Sequence, residues 1–296
     1  MLLPRTHTIR RATPGFIKKC YLLFLMRCTI SKEELHERKN KLKNIMKKVS
    51  ITLFKEDLEN ANEEIFWHFR VRQAQNILKI AKKIFGNRLA IAFSGGKDSL
   101  VALHLALQTL GKDIPVIYNH TTVEFPETIR YVKELADLWG FNLHITKPDR
   151  PFFIAVKEKG WATHENRWCC KPYKEKPAHN FILANNIVAE ITGTVRTESI
   201  YRRSLKPFML PKKNPYIIRI HPIYDWNQWE VWKYIRKHNL PYNPLYDMGY
   251  RRIGCWCCPI NGPSHYRRLK KTHPRLFKFL SKFKPQHPSI ARYNPT

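Results

Sequence analysis

A short glycine-containing segment sets what this chain can fold into. It reads Ser94-Gly95-Gly96-Lys97-Asp98-Ser99, after an apolar run over residues 89–93 and before an apolar, helix-like stretch over residues 100–107. Glycine lets the backbone turn sharply and approach a ligand closely. The first N–H groups of a helix lack internal partners and lie at the positive end of its dipole. A strand, a glycine turn and a helix start in this order therefore predict a phosphate site rather than an ordinary turn.

The side chains of the segment add to this chemistry. Ser94 and Ser99 supply hydroxyl groups, Lys97 supplies a mobile cation, and Asp98 can hold a magnesium ion or a ribose hydroxyl. The spacing differs from the Walker pattern GxxxxGK[ST] and from the dinucleotide pattern GxGxxG. The segment therefore indicates a different class of nucleotide-binding protein.

Strand-like and helix-like stretches alternate beyond this segment. Apolar runs over residues 115–120, 141–145 and 186–193 predict buried strands, and residues 126–140 predict a helix with Ile129, Val132, Leu135 and Leu138 on one face. This alternation predicts an α/β fold with a Rossmann-like parallel sheet and helices on both faces. Ligands of such sheets bind at the carboxyl ends of the strands. Since Ser94 and Gly193 both follow strands, we expect their loops to face one site.

Two more helices are predicted on either side of this region. Residues 60–86 show helical spacing, with Ile77, Ile80 and Ile84 on one face. A second helix is predicted up to residue 238, with Asp225 as its N-cap. We expect its face of Trp229, Trp232 and Ile235 to pack in the core rather than bind a ligand.

The charge of the chain is far from balanced. Its 296 residues contain 53 Lys and Arg against 23 Asp and Glu, a formal net charge of +30. Such a charge favours polyanions such as tRNA or DNA, although a lysine-rich proteome would give the same excess. No apolar run approaches the ~20 residues of a membrane span, so we expect a cytoplasmic protein without membrane contact.

Four of the seven cysteines form two pairs that can converge on a metal. Cys169 and Cys170 are adjacent, and Cys255 and Cys258 have the C-x-x-C spacing. Four thiolates suit zinc or a [4Fe–4S] cluster. The adjacent pair is awkward for a zinc knuckle, which prefers two spacer residues. Cys257 is then a spare thiol.

Several motifs together resemble a known family. The segment SGGKDS resembles the PP-loop of the adenine nucleotide alpha-hydrolase superfamily, and it is called the PP-loop below. Residues 125–128 (FPET), 192–199 (TGTVRTES) and 240–250 (LPYNPLYDMGY) resemble motifs of the phosphoadenosine phosphosulfate (PAPS) reductase family, although Val195 replaces an arginine of that family. The stretch Arg167-Trp168-Cys169-Cys170 and the later C-x-x-C-P resemble the cluster-binding pattern of its iron–sulfur branch. This resemblance covers residues 88–260.

The resemblance implies roles for individual residues. In that branch all four cysteines hold a [4Fe–4S] cluster, here Cys169, Cys170, Cys255 and Cys258. Lys97, Asp98 and Arg196 are the predicted catalytic residues, with magnesium on Asp98. The predicted nucleotide-binding residues are Ser94, Gly95, Gly96, Lys97, Ser99, Gly193, Arg202 and Arg203.

Two departures from the family bear on the reaction. The reductases proper use a cysteine near the C-terminus, whereas none follows Cys258 here. They also usually carry a degraded PP-loop, whereas this one is intact. We therefore expect an enzyme that uses ATP to adenylate an acceptor, possible acceptors being tRNA and DNA, and that transfers sulfur to it from a donor protein.

Two alternatives stay open. The first is a PAPS or adenylyl-sulfate reductase that makes sulfite with an electron-donor protein. The second is a non-catalytic nucleic-acid-binding protein. In each case we expect three regions: a basic N-terminal extension (1–60), a nucleotide-binding domain with the four-cysteine site (61–260) and a basic, helical C-terminal tail (261–296).

Overall fold

A computed structural model describes residues 63–283, except residues 164 and 212–215, together with two helical positions at residues 37 and 40. Residues 63–283 belong to one compact unit that spans residues 52–296. The predicted N-terminal extension therefore lies outside the described residues apart from those two positions, and so does the end of the predicted tail, residues 284–296.

The described residues form one six-stranded sheet in the order β3-β2-β1-β4-β6-β5. All neighbouring strands are parallel except β5, which runs antiparallel to β6. The central strand β1 pairs Ile91 with Val116 of β2 and with Ile191 of β4. The strands are β1 (Leu89–Ala92), β2 (Val116–Asn119), β3 (Leu143–Thr146), β4 (Ala189–Thr192), β5 (Phe208–Met209) and β6 (Ile218–Ile220).

Helices cover both faces of the sheet, which confirms the predicted α/β fold. The longest, α1, packs against α2, and α2 also packs against α6 and β4. The α-helices are α1 (Glu63–Phe85), α2 (Lys97–Leu110), α3 (Pro126–Trp139), α4 (Phe152–Lys159), α5 (Lys176–Ala184), α6 (Gln228–Lys237), α7 (Pro263–Thr272) and α8 (Pro274–Ser281). A π-helical turn, Lys171–Glu175, precedes α5.

The predicted face of α3 was wrong at its end. Leu138 is 69% exposed, whereas Tyr131, Val132, Leu135 and Ala136 are buried. A helix turns 360° in 3.6 residues, so positions spaced by three drift about 60° at each step. After three such steps, residue 138 points away from residue 129.

The expectations for α6 also need correction. Its N-cap is Asn227 and not Asp225: Asn227 Oδ1 accepts the Glu230 N–H, and the Glu230 side chain accepts the Asn227 N–H. Trp229 is 53% exposed and does not belong to the core. Trp232 is only partly buried, and the buried residues are Glu230, Val231, Tyr234 and Ile235. The helix packs against α2, and the Tyr234 ring lies 6.2 Å from the Trp67 ring of α1.

The described part of the predicted tail folds onto the main domain. Tyr266 and Leu269 of α7 and Leu280 of α8 are buried in a cluster with Phe125 and Phe152. Arg267, Lys270 and Lys271 of α7 are exposed on the opposite side. The tail therefore combines a packed apolar face with a basic outer face. Among the described helices, none has the length and apolar composition needed to cross a membrane.

Candidate functional site

The PP-loop connects β1 to α2 at the carboxyl edge of the sheet. Gly95 has φ +73°, a conformation that side chains disfavour, and Gly96 caps α2. The Ser99 hydroxyl donates to the Gly96 carbonyl (2.8 Å), accepts from the Ser94 N–H (3.2 Å) and contacts Ser94 Oγ (3.0 Å). Ser99 thus stabilises the loop conformation through contacts within the loop, and both serines line the adjoining cleft.

The loop after β4 meets the start of α2. A Cβ atom on Gly193 would lie 2.4 Å from the Asp98 carbonyl oxygen and 2.5 Å from Ser99 Cα. Real Cβ atoms essentially never approach backbone so closely. Only glycine fits at this position, and the structure brings the Gly193 and Ser94 loops to one cleft.

The other two motifs hold the PP-loop from outside. Tyr246 Oη accepts the Lys97 N–H at 2.9 Å, so it satisfies one donor of the first helical turn. Asn243, which is buried, donates from Nδ2 to Thr128 Oγ1 (3.0 Å) and to the Gly95 carbonyl (3.3 Å). The motifs over residues 125–128 and 240–250 therefore position the loop.

A cleft of about 880 Å³ opens in front of the PP-loop. Lys97 Nζ and Asp98 Oδ2 form an ion pair of 2.7 Å at its wall, and the two side chains are only 8% and 20% exposed. A cation and a carboxylate thus stand together where phosphate and a metal ion would meet. The volume is that of a typical small-molecule site.

Arginines line the rest of the cleft, and sequence reasoning found only one of them. Arg202, a predicted nucleotide-binding residue, lines it and pairs with Glu198, while burial and the neighbouring Arg252 lower the pKa of its guanidinium. The other three lining arginines are Arg219, Arg251 and Arg252. Arg251 and Arg252 directly follow the motif over residues 240–250, and this position in the sequence could have indicated that they belong to the site.

Arg219 was missed because it lies within β6, where a pattern of buried strands suggests packing. It faces Glu190 of β4, with Nε and Oε2 3.5 Å apart, and both side chains line the cleft. Burial raises the pKa of Glu190, and Arg219 opposes that shift. Only the pairing of two strands distant in sequence places this charged pair.

The structure places Arg196, a predicted catalytic residue, beside the cleft and not in its lining. Its Nε donates to the Leu205 carbonyl (2.8 Å), another guanidinium nitrogen lies 3.1 Å from Asp225, and the guanidinium stacks on the Tyr224 ring at 4.6 Å. These contacts hold the segment after β4 in place and leave Arg196 out of the cleft lining. Arg203, a predicted nucleotide-binding residue, is exposed and also does not line the cleft.

The two cysteine pairs lie close enough to influence each other. A hydrogen bond from Cys169, with help from Arg167 and Lys174, lowers the pKa of the Cys170 thiol to about 5. The same hydrogen bond, burial and the charges of the other pair raise the pKa of Cys169. Cys255 is fixed by an antiparallel bridge to Glu124. The four predicted ligands thus form one thiol-rich group.

The chemistry of this group is that of a four-cysteine metal site. Four thiolates can hold a zinc ion or a [4Fe–4S] cluster. Among the described residues, no three His, Cys, Asp or Glu side chains are already arranged to hold a metal ion. The nearby cations Lys174 and Arg167 would offset the thiolate charge.

Cys257 differs from its neighbours. Its side chain is buried, and burial with the charges of Cys255 and Cys258 raises the thiol pKa well above its ordinary value. Thiols react as thiolates from exposed positions. In this conformation Cys257 is therefore not available as a nucleophile.

The cleft connects the PP-loop with the cysteine group. Its lining continues from Lys97 to Glu124, Lys174 and Gly254, which adjoin the cysteines in space or in sequence. Tyr118 also lines it, and the buried Tyr118 hydroxyl has no hydrogen-bond partner within the described part of the chain. Burial, Glu124 and Cys255 raise the pKa of that hydroxyl, which keeps it protonated and able to donate to a ligand.

Solved structures share this fold. PAPS reductase from Candida auris superposes with a TM-score of 0.53 at 24% identity, over 78% of this chain and 98% of that protein. FMN adenylyltransferase from Candida glabrata gives a TM-score of 0.52 at 16% identity, over 79% and 72% of the two chains.

Related sequences point to the same group. An uncharacterized protein of Methanocaldococcus jannaschii is 34% identical over 74% of this chain and 45% of its own length, so the chain spans about half of that relative. Adenosine 5'-phosphosulfate reductase 2 of Bacillus subtilis is 30% identical over 64% of this chain and 79% of its own length. The family model of the phosphoadenosine phosphosulfate reductase domain matches residues 88–261, more than half of the chain. The chain belongs to the phosphoadenosine phosphosulfate reductase family.

Proposed function

We propose that this protein binds ATP with magnesium at the PP-loop, adenylates an acceptor on nucleic acid and takes part in replacing the activated oxygen by sulfur. The observation that carries the proposal is the Lys97–Asp98 ion pair in the wall of the cleft, directly at the start of α2. Lys97 and the first-turn N–H groups suit the phosphates, and Asp98 suits the metal.

The carboxylate of Asp98 favours ATP over a sulfonucleotide. A sulfonucleotide is an anion that needs no metal, so a carboxylate beside its binding site costs affinity by repulsion. A nucleoside triphosphate brings magnesium, which takes one or two carboxylates together with phosphate oxygens. The same Asp98 then becomes an attractive contact.

The proposed reaction is an adenylyl transfer followed by a substitution. The acceptor oxygen attacks the α-phosphorus, the bond from that phosphorus to the bridging oxygen breaks, and pyrophosphate leaves with the electron pair. A hydrosulfide ion supplied by a donor protein then attacks the activated carbon or phosphorus, so that a C–S or P–S bond forms and AMP leaves with the original oxygen. Lys97 and Arg202 would offset the charge on the departing phosphates.

Cys169, Cys170, Cys255 and Cys258 would hold a [4Fe–4S] cluster, which supplies electron transfer or an iron site for sulfur. Lys174 lies near these cysteines, and the charge of Cys255 raises the pKa of its ammonium group most strongly. Since Lys174 also lines the cleft, it would keep an anionic reactant next to the thiol-rich group.

The acceptor we propose is nucleic acid, tRNA or DNA. The net charge of +30 supports a polyanionic partner, and the exposed face of α7 offers Arg267, Lys270 and Lys271 to phosphates. Binding through such cations weakens steeply as salt concentration rises.

A second candidate is the reduction of an adenylyl sulfonucleotide to sulfite. The adenosine 5'-phosphosulfate reductases of Bacillus subtilis and Bacillus cereus, at 30% and 32% identity, favour it. The cleft between the PP-loop and the cysteines would suit that substrate as well. In this reading the carboxylate of Asp98 has no metal to bind.

The test is an anaerobic purification followed by titration with ATP and with adenosine 5'-phosphosulfate, with and without magnesium. We expect magnesium-dependent ATP binding, release of pyrophosphate when nucleic acid is added, and about four irons per chain. Asp98→Asn should abolish the magnesium dependence, whereas Asp113→Asn, an exposed position just before β2, should not change it. Tighter binding of the sulfonucleotide and sulfite production would favour the second candidate instead.

A further inference from the structure

A second pocket of about 390 Å³ adjoins the nucleotide cleft and has no part in the function described so far. Four aromatic residues line it: the buried Tyr250 and three partly buried rings, which are Trp232 of α6 and Tyr242 and Tyr246 from the segment after α6. The two pockets share Lys97, Gln228, Tyr246 and Arg251 in their linings. The aromatic pocket therefore lies directly beside the PP-loop.

The rings stand in an arrangement that suits a flat ligand. The Trp232 ring lies 5.3 Å from Tyr242 at 90° and 5.2 Å from Tyr246 at 85°, between ring centroids. All three side chains are only partly buried, so ring surface remains open to the pocket. A planar ring that stacks on one wall meets the next wall edge-on, and both geometries are favourable for aromatic pairs.

The polar groups of the pocket select among flat ligands. Asp247 lines it and accepts a hydrogen bond from Tyr242 Oη at 2.9 Å, which fixes the carboxylate beside the rings. Its remaining lone pairs can accept from amino or imino groups. Aromatic walls also suit organic cations. Here Lys97 and Arg251 line the same pocket and would repel a cation, so a neutral heterocycle is the better ligand.

The cationic residues around the pocket suit a phosphate backbone that carries such a heterocycle. Arg268 of α7 lies over the Tyr250 ring at 5.6 Å, and its Nε would be 3.1 Å from a Cβ on Gly249, so α7 borders the pocket. The exposed α7 cations Arg267, Lys270 and Lys271 follow on the same helix, and the last turn of α6 adds Arg236 and Lys237.

We infer that this pocket binds a nucleobase turned out of a nucleic-acid strand. Such a base would stand next to the PP-loop, because Lys97, Tyr246 and Arg251 line both pockets. Its role as the adenylated acceptor rests on the proposed function, whereas base binding does not. Enzymes that act on a base take it out of the stack and read its edge with hydrogen bonds, and here Asp247 is placed to do so.

The test uses a seven-nucleotide RNA with a central 2-aminopurine, whose fluorescence is quenched by stacking, and the same RNA with an abasic centre. A non-hydrolysable ATP analogue occupies the nucleotide cleft throughout. We expect quenching on binding, and a loss of affinity of at least about fivefold when the base is absent. Trp232→Leu and, separately, Tyr242→Leu should lower the affinity for the base-containing RNA by a similar factor and leave the affinity for the abasic RNA unchanged.

The matched control is Trp229→Leu, since Trp229 is exposed on the same helix and does not line the pocket. It should change neither affinity nor quenching. An equal effect of Trp229→Leu, or equal binding of the abasic RNA, would overturn the inference, as would competition by tetramethylammonium but not by free bases. Thermal denaturation shows whether each variant is folded, and two variants on different segments keep the test independent of either one.

The two proposals fail separately. Pyrophosphate release with no quenching would overturn the base pocket and leave ATP use intact. Quenching that depends on Trp232, in a protein that never cleaves ATP, would support the base pocket and remove the adenylation step.

Discussion

The hydroxyl of Tyr246 accepts a hydrogen bond of 2.9 Å from the backbone N–H of Lys97, 149 positions earlier in the chain. This contact joins the motif over residues 240–250 to the first turn of α2. Burial raises the pKa of the Tyr246 phenol well above its ordinary value, so the group stays protonated at physiological pH. Tyr246 therefore helps Asn243 to hold the orientation of the PP-loop.

The first prediction concerns this hydrogen bond. Tyr246→Phe removes the acceptor and leaves the Lys97 N–H without its partner, so we expect the free energy of unfolding to fall by about 1 kcal/mol. Tyr242→Phe is the control, because the Tyr242 hydroxyl bonds to Asp247 at the exposed surface and its loss should cost less than about 0.5 kcal/mol. Urea denaturation measures both values. Equal losses in the two variants would show that the Lys97 contact does not stabilise the loop.

Much of this architecture could be predicted from local sequence. The apolar runs before Ser94 and Gly193 are strands of the predicted parallel sheet, and parallel strands place the loops at their carboxyl ends along one edge. The close contact of Gly193 with α2 agrees with that expectation. Burial patterns and glycine positions are local signals, so each strand and loop could be predicted from its own segment of the sequence.

Contacts between charged side chains far apart in sequence could not be predicted in this way. Arg70 of α1 bonds to Asp225 and Glu230, which lie 155 and 160 positions later. Asp225 looked like a helix cap because a cap needs only local sequence, whereas its actual partner depends on how α1 packs. The position of Arg219 in the cleft could not be predicted for the same reason, because it depends on the pairing of β6 with β4, which places Arg219 beside Glu190.

The second prediction concerns Gly193. Gly193→Ala would force its methyl group into the backbone of Asp98 and Ser99, so we expect a loss of about 1–3 kcal/mol in unfolding free energy and weaker ATP binding. Gly254→Ala is the matched control, since Gly254 also lines the cleft and a Cβ there meets nothing within 4 Å. Thermal denaturation and ATP titration of both variants give the comparison. A Gly193→Ala protein as stable as the control would mean that the two loops separate easily.

The third prediction concerns the buried ion pair between α1 and α6. Arg70 Nε lies 2.8 Å from Glu230 Oε1, and the two side chains are almost fully buried. Glu230→Ala leaves the Arg70 charge without this partner and removes the capping box of α6, so we expect a loss of about 3 kcal/mol. Glu134→Ala, at an exposed position of α3, should stay within about 0.5 kcal/mol.

A double-mutant cycle separates the ion pair from the capping interaction. If the pair dominates, Arg70→Met combined with Glu230→Ala should cost less than the sum of the single changes. Additive costs would assign the loss of stability to the helix cap instead. Chemical denaturation of the four proteins provides the numbers.

The fourth prediction concerns stability in acid. Burial, with Arg219 and Arg202 nearby, lowers the pKa of His221 from 6.5 to about 3, and its Nδ1 lies 2.7 Å from Thr192 Oγ1. The unfolded chain binds a proton near pH 6.5, but the folded protein does not until about pH 3. Stability from this group is therefore complete above pH 6.5 and is lost as the pH falls toward 3. Between pH 8 and pH 5 the loss is about 2 kcal/mol.

His221→Gln removes this titration while the amide can still bond to Thr192, so the variant should lose less stability in acid than the native protein. The measurement is the difference between their unfolding free energies at pH 8 and at pH 5. Burial and the nearby His238 also lower the pKa of His104, to about 4, so His104→Gln should show a change of the same sign. His104 is only half-buried, and solvent screening should make its effect smaller than that of His221. A difference between native and His221→Gln proteins that stays constant from pH 8 to pH 5 would contradict the prediction, because it would mean that His221 takes up its proton at the same pH in the folded protein as in the unfolded chain.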